Sequence, residues 1–83
     1  MQMRDITIQV PNGNLNQAIT FFIQKANEFQ SEIVLLQDGV RINAKSLLGL
    51  LCMGLHQDSE VVVGAEGADA DAALDALAQV LGG

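Results

Sequence analysis

Arg41-Ile42-Asn43-Ala44-Lys45-Ser46-Leu47-Leu48-Gly49-Leu50-Leu51-Cys52-Met53-Gly54 is the stretch on which the reading of this chain turns. It predicts the end of a β-strand, a serine that caps a helix, and a short helix almost wholly made of apolar residues. Asn43 and Ser46 suit a helix start, because their side-chain oxygens accept hydrogen bonds from its unsatisfied N–H groups. Gly54 is placed to end the helix through a left-handed residue. Leu47, Leu48, Leu50, Leu51, Cys52, Met53 and Leu55 leave no polar face. Such a helix is either buried all round or offers an apolar patch to a partner.

Complete burial is hard in a chain of 83 residues, since a domain of that size hides only about 60% of the surface its unfolded form exposes. A partner surface is therefore the first functional expectation. One domain over residues 1–83 is expected, and the 49% hydrophobic content suits a core. No apolar run reaches the ~20 residues of a membrane span. Nor does an export signal follow Met1-Gln2-Met3-Arg4-Asp5. A lone Cys52 fits a reducing cytoplasm. The net charge is −6, and after Lys45 the chain has acids (Asp58, Glu60, Glu66, Asp69, Asp71, Asp75) but no lysine or arginine. That disfavours nucleic acid and anionic membranes as direct partners; a solvated acidic face is the plainer explanation.

At the start of the central stretch, Val40-Arg41-Ile42 pairs with Glu32-Ile33-Val34-Leu35-Leu36 across Asp38-Gly39, a two-residue hairpin signal. Before them, Leu15, Ala18, Ile19, Phe22, Ile23, Ala26 and Phe29 recur at helical spacing, with Asn14 or Asn16 as cap. Phe21 is a large aromatic on the outer side of that helix. Ile6, Ile8 and Val10 alternate as a first strand, ended by Pro11 and the turn residues Asn12-Gly13-Asn14. After the central helix, Glu60-Val61-Val62-Val63-Gly64 is a fourth strand ended by its glycine. Gly67-Ala68-Asp69 opens a last helix with Ala70, Ala73, Leu74, Leu77 and Leu81 on one face, and with acids in its first turn that suit the dipole. The order is β-α-β-β-α-β-α, an α+β class. One antiparallel sheet has helices on one side and, by alternation, a polar opposite face.

With these residues in view, the chain resembles the HPr (histidine-containing phosphocarrier protein) family of the bacterial sugar phosphotransferase system. The resemblance rests on Ala26-Asn27-Glu28-Phe29 with Ser31, on Asp38-Gly39, on Asn43-Ala44-Lys45-Ser46 with Gly49 and Gly54, and on Gly67 with Asp69. It implies an open-faced β-sandwich of a four-stranded antiparallel sheet and three helices on one face. The family carries Gly-Leu-His-Ala-Arg-Pro-Ala at the start of its first helix, where the histidine takes a phosphoryl group. The corresponding stretch here is Gly13-Asn14-Leu15-Asn16-Gln17-Ala18-Ile19. Leu15 stands at the histidine position and Gln17 at the arginine position. Leucine has no nucleophilic atom and glutamine no guanidinium, so phosphotransfer is not expected there.

What the resemblance then implies is a regulatory or interaction protein, not an enzyme, like the catabolite-repression HPr-like members that lack the histidine. Ser46 is the candidate regulatory phosphorylation site, beside Lys45 at a helix start; its plainer role is a cap. Leu47, Leu48 and Leu51, with Gln17, Thr20, Phe21 and Gln24, form the candidate docking surface for an enzyme I-like protein, an HPr kinase-like protein or a transcription regulator. The plainer reading puts the leucines in the core. His56 is the alternative phosphoacceptor of a true phosphocarrier, although a solvated loop histidine is the simpler account. A decayed paralogue without a partner is the third reading. Cys52 and His56 are four apart, but Gly54 between them ends the helix, so no metal is expected and Cys52 is read as an apolar filler. The acids of the last helix are read as solvated. No cofactor is implied, and a monomer or weak dimer fits.

Overall fold

Four strands pair antiparallel in the order β1-β4-β2-β3, with β1 at Gln2–Thr7, β2 at Glu32–Gln37, β3 at Val40–Asn43 and β4 at Glu60–Glu66. Helices α1 (Leu15–Ala26), α2 (Leu47–Cys52) and α3 (Ala70–Leu81) cover one face of this sheet. The computed structural model describes residues 1–10 and 13–82. The expected strand stop at Pro11 and the Asn12 part of the turn lie outside the described residues.

The apolar periodicities place the core. Ile6, Ile33, Leu35, Val61, Val63 and Ala65 point from the strands into it, and Ala18, Ile19, Phe22 and Ala26 meet them from α1. Alpha-3 contributes Ala70, Ala73, Leu74, Leu77, Ala78 and Leu81. Asn14 rather than Asn16 caps α1, its Oδ1 accepting from the Gln17 N–H at 3.1 Å. Asp38 (φ 51°) and Gly39 (φ 81°) are both left-handed, as a type I′ hairpin turn requires.

Helix α1 ends at Ala26, short of Phe29, and three strand boundaries differ from expectation by more than one residue. β1 starts at Gln2 and stops at Thr7, because its ladder with β4 runs from Gln2 opposite Ala65 to Thr7 opposite Glu60. Beyond Thr7, the segment leading into β4 turns away at Asp58, whose φ is 66°. Ile8 stays fully buried, and its N–H still donates to Ser59 O at 2.9 Å. At its other end β4 continues through Gly64 to Glu66. A Cβ on Gly64 would stand 2.7 Å from Met1 Sδ and 3.1 Å from Val34 Cγ2. The glycine is there because neighbouring side chains fill its place, not to break the strand.

The uncovered face is not polar in the way alternation suggests. β2 and β4 carry continuous apolar runs, so Val34, Leu36 and Val62 lie opposite the core side and are half-buried, with Met3 exposed beside them.

Candidate functional site

The helix α2 owes its position to two local devices. Ser46 is its N-cap, the hydroxyl oxygen accepting from the Gly49 N–H at 3.2 Å. Gly54, at φ 74°, ends the turn that follows. A Cβ on Gly49 would stand 2.6 Å from Ile42 Cγ2, so this residue lets the helix sit close against β3.

Six residues of helix turn only one side inward. Leu50 takes that side and is 1% exposed, while Leu47, Leu48 and Leu51 are 49%, 73% and 51% exposed. Met53 and Leu55 are half-buried against the core. Cys52 is exposed, which corrects its reading as an apolar filler: it lies on the outer side of the helix, where nothing is filled. Leu55 and His56 lie beyond the end of α2, so Cys52 and His56 do not share a helical face.

On α1, Gln17, Thr20, Phe21 and Gln24 are exposed. Gln17, Phe21 and Gln24 line one groove with Val10 and Val80, whereas Thr20 turns its hydroxyl back to Asn16 O at 3.0 Å. Lys25 pairs with Glu28 at 3.4 Å on the rim of that groove. Lys45, next to Ser46 in sequence, donates its ammonium to Phe29 O at 2.9 Å, which turns it toward the end of α1.

His56 is exposed in the loop after α2. Its Nδ1 hydrogen-bonds the Ser59 hydroxyl, and its backbone N–H donates to the same oxygen at 3.3 Å. The neighbouring Gln57 clamps the loop to the segment ahead of α1. Its Oε1 accepts from Val10 N–H at 2.8 Å, and its Nε2 donates to Val10 O at 2.7 Å. Leu15, the first residue of α1, packs half-buried against the core. Sequence reasoning missed both Gln57 and Ser59. For Gln57 no local signal exists, because its partner is 47 residues away.

Asp69 corrects the expectation of solvated acids on the last helix. Its carboxylate makes no cap bond to α3 and instead accepts from Gln30 N–H at 2.9 Å, Ser31 N–H at 3.0 Å and the Ser31 hydroxyl. These donors, the Ser31 hydroxyl foremost, hold its pKa below the ordinary aspartate value. The contact ties the α1–β2 turn to the start of α3; it is a structural lock.

The family model described as the PTS HPr component phosphorylation site matches residues 2–82. The chain belongs to the HPr family. It is 33% identical over 78 residues to the HPr-like protein Crh of Bacillus subtilis (strain 168), covering 94% of this chain and 92% of that one. With the phosphocarrier protein HPr of Buchnera aphidicola subsp. Baizongia pistaciae (strain Bp) it shares 38% identity over 81 residues, 98% and 95% of the two chains. The crystal structure of HPr-C-His from Thermoanaerobacter tengcongensis superimposes with a TM-score of 0.90 at 32% identity, over 98% of this chain and 91% of that one. HPr proteins are phosphocarriers rather than enzymes, and Crh is an HPr-like relative. Some relatives form dimers, HPr of T. tengcongensis among them. Among the described residues, no helix is long and apolar enough to cross a membrane.

Proposed function

We propose that this HPr-family chain is a regulatory or interaction protein of the sugar phosphotransferase system, bound by partner proteins and not relaying phosphate at the family position. The observation that carries this reading is Leu15. The family places its phosphoacceptor at the start of the first helix, and here that place is held by an aliphatic side chain packed against the core. A hydrocarbon offers no lone pair to attack phosphorus, and Gln17 no charge to hold the transferred group.

The docking surface is the outer side of α2, Leu47, Leu48 and Leu51, together with Gln17, Thr20, Phe21 and Gln24 on α1. Its occupants are an enzyme I-like protein, an HPr kinase-like protein or a transcription regulator. Three leucines between 49% and 73% exposed on one short helix are costly to leave in water and are explained by a partner that covers them. The protein works in the cytoplasm, and residues 1–83 act as one domain without a cofactor or metal.

Ser46 is the switch. A kinase would move the γ-phosphoryl of ATP to Ser46 Oγ: the bond from phosphorus to the ADP oxygen breaks, the Oγ–P bond forms, and the hydroxyl proton is released. The product sets roughly two negative charges beside the leucine patch and so changes which partner fits it. Lys45 neutralises them only by leaving Phe29 O.

A second reading routes phosphate through His56, whose neighbour Gln57 is hydrogen-bonded to Val10 in the segment ahead of α1. Its Nδ1 is already engaged by Ser59, so Nε2 would have to carry the phosphoryl group. One measurement separates the two. The protein is incubated with phosphoenolpyruvate and enzyme I, then with ATP and HPr kinase, and its intact mass is recorded after each step. A phosphoryl gain only in the second step, lost in Ser46→Ala, supports regulation. A gain in the first step, lost in His56→Ala, supports carriage. No gain in either step, with no partner captured, supports a decayed paralogue.

A further inference from the structure

The two central strands carry apolar residues on both faces. Ile33-Val34-Leu35-Leu36 and Val61-Val62-Val63 are unbroken runs, a pattern that belongs to strands covered on both sides. The helices cover one side only. Residues directly opposite the core positions therefore form a second apolar surface, and the ladder register shows its layout. One row across the sheet reads Met3, Gly64, Val34, Asn43 from β1 to β3; the next reads Asp5, Val62, Leu36, Arg41. Met1 folds over Gly64 on this side, next to Val34. Met1 and Met3 are 43% and 60% exposed.

The second row is self-complementary. It has an acid on one outer strand, a base on the other, and two aliphatic side chains between them. A second copy turned about an axis parallel to the strands, between β4 and β2, lays Asp5 over Arg41 and Val62 over Leu36. Symmetry repeats both contacts in reverse. From these observations we propose that the open sheet face is a self-association surface, occupied by the same face of a second copy of this chain, with Asp5 and Arg41 as its two symmetric ion pairs.

The geometry also limits its strength. Strands about 4.8 Å apart and residues about 3.3 Å apart along them give this face roughly 400 Å² on each copy. A pair would bury roughly 800 Å² in total, short of the ~1,200 Å² of standard stable interfaces. Glu32, Glu60 and Glu66 lie on the same face toward the strand ends and oppose closer approach. The dimer is thus weak and concentration-dependent.

Sedimentation equilibrium from about 10 μM to about 1 mM is the test. A monomer–dimer equilibrium is expected for the native sequence. Asp5→Arg and Arg41→Asp each weaken it about tenfold, by setting like charges opposite each other twice per dimer, and the double exchange Asp5→Arg/Arg41→Asp restores it. Asp5→Arg lowers the net negative charge, so weaker association in that variant cannot come from global repulsion. Asp71→Arg on α3 makes the same charge change on the helical side and serves as control, expected not to weaken the dimer. Circular dichroism establishes that each variant folds. A chain monomeric throughout the range overturns the proposal. So does a dimer indifferent to both single exchanges, or one abolished by Leu48→Asp instead, which would place the contact on α2.

Discussion

Shortening Leu50 to alanine removes the one side chain by which α2 is held to the core. Leu50 is 1% exposed, whereas Leu48, two residues earlier on the same helix, is 73% exposed. Leucine and alanine are both good helix formers, so the two substitutions differ in burial and little else. Deleting a buried leucine side chain costs about 3 kcal/mol, the lost transfer free energy plus that of the cavity left behind. Against roughly 5–10 kcal/mol of total stability for a chain this small, that is a large fraction. It corresponds to a fall of roughly 10–20 °C in Tm. Leu48→Ala should change stability by no more than about 0.5 kcal/mol. Urea unfolding followed by circular dichroism at equilibrium reads both, with an unchanged m-value as the sign that the unfolded states are comparable. Equal losses at Leu48 and Leu50 would refute the assignment of an inward and an outward side to α2. The docking surface would then lose its basis.

Other outcomes follow from the same contacts. Because the pKa of Asp69 is lowered in the folded state, its contribution to stability is fully present above the ordinary aspartate pKa of about 3.9 and is lost as pH falls through the folded value. Asp69→Asn should therefore flatten the acid limb of a plot of urea midpoint against pH, and an unchanged limb would put the Ser31 contact in doubt. Gly67→Ala should destabilise the fold, since φ is 149° and the new Cβ would meet Ser31 Oγ at 2.6 Å and Ser31 Cα at 2.8 Å; thermal unfolding reads it. Ser46→Ala should cost about 1 kcal/mol through the lost cap, and abolish any mass gain with ATP and HPr kinase. Leu47→Asp should leave the urea midpoint nearly unchanged but end capture of enzyme I or HPr kinase on immobilised protein; loss of folding would return Leu47 to the core.

What could be read from the residues was local. Ser46 followed by an apolar run, Asp38-Gly39 between two apolar runs, and the heptad-like spacing in α1 and α3 each specify geometry within a few residues, and the structure has all of them. The features that were missed depend on partners distant in sequence. Gln2–Asp5 looks like neither strand nor core, because β1 is an edge strand whose register is set by β4 some sixty residues later. Gly64 looks like a stop until Met1 and Val34 are seen to fill its place. The Asp69 carboxylate has donors 38 and 39 residues away, so nothing near it distinguishes it from Asp71. The open face differs for another reason: the apolar runs in β2 and β4 are unbroken, so their outward residues are apolar where alternation would make them polar. Of the candidate site, the outward leucines were anticipated from the absence of any polar face on α2. The clamp of Gln57 on Val10, 47 residues away, had no precursor in the sequence, whereas the Ser59–His56 contact is local, three residues apart.

Whether this chain can carry phosphate decides between a regulatory protein and a phosphocarrier. Exposure of the purified protein to enzyme I and radiolabelled phosphoenolpyruvate, followed by denaturing electrophoresis without acid, reads this in one step, with an HPr that carries the histidine as positive control. A labelled control and an unlabelled chain are expected. An acid-labile phosphohistidine on this chain would contradict the regulatory reading.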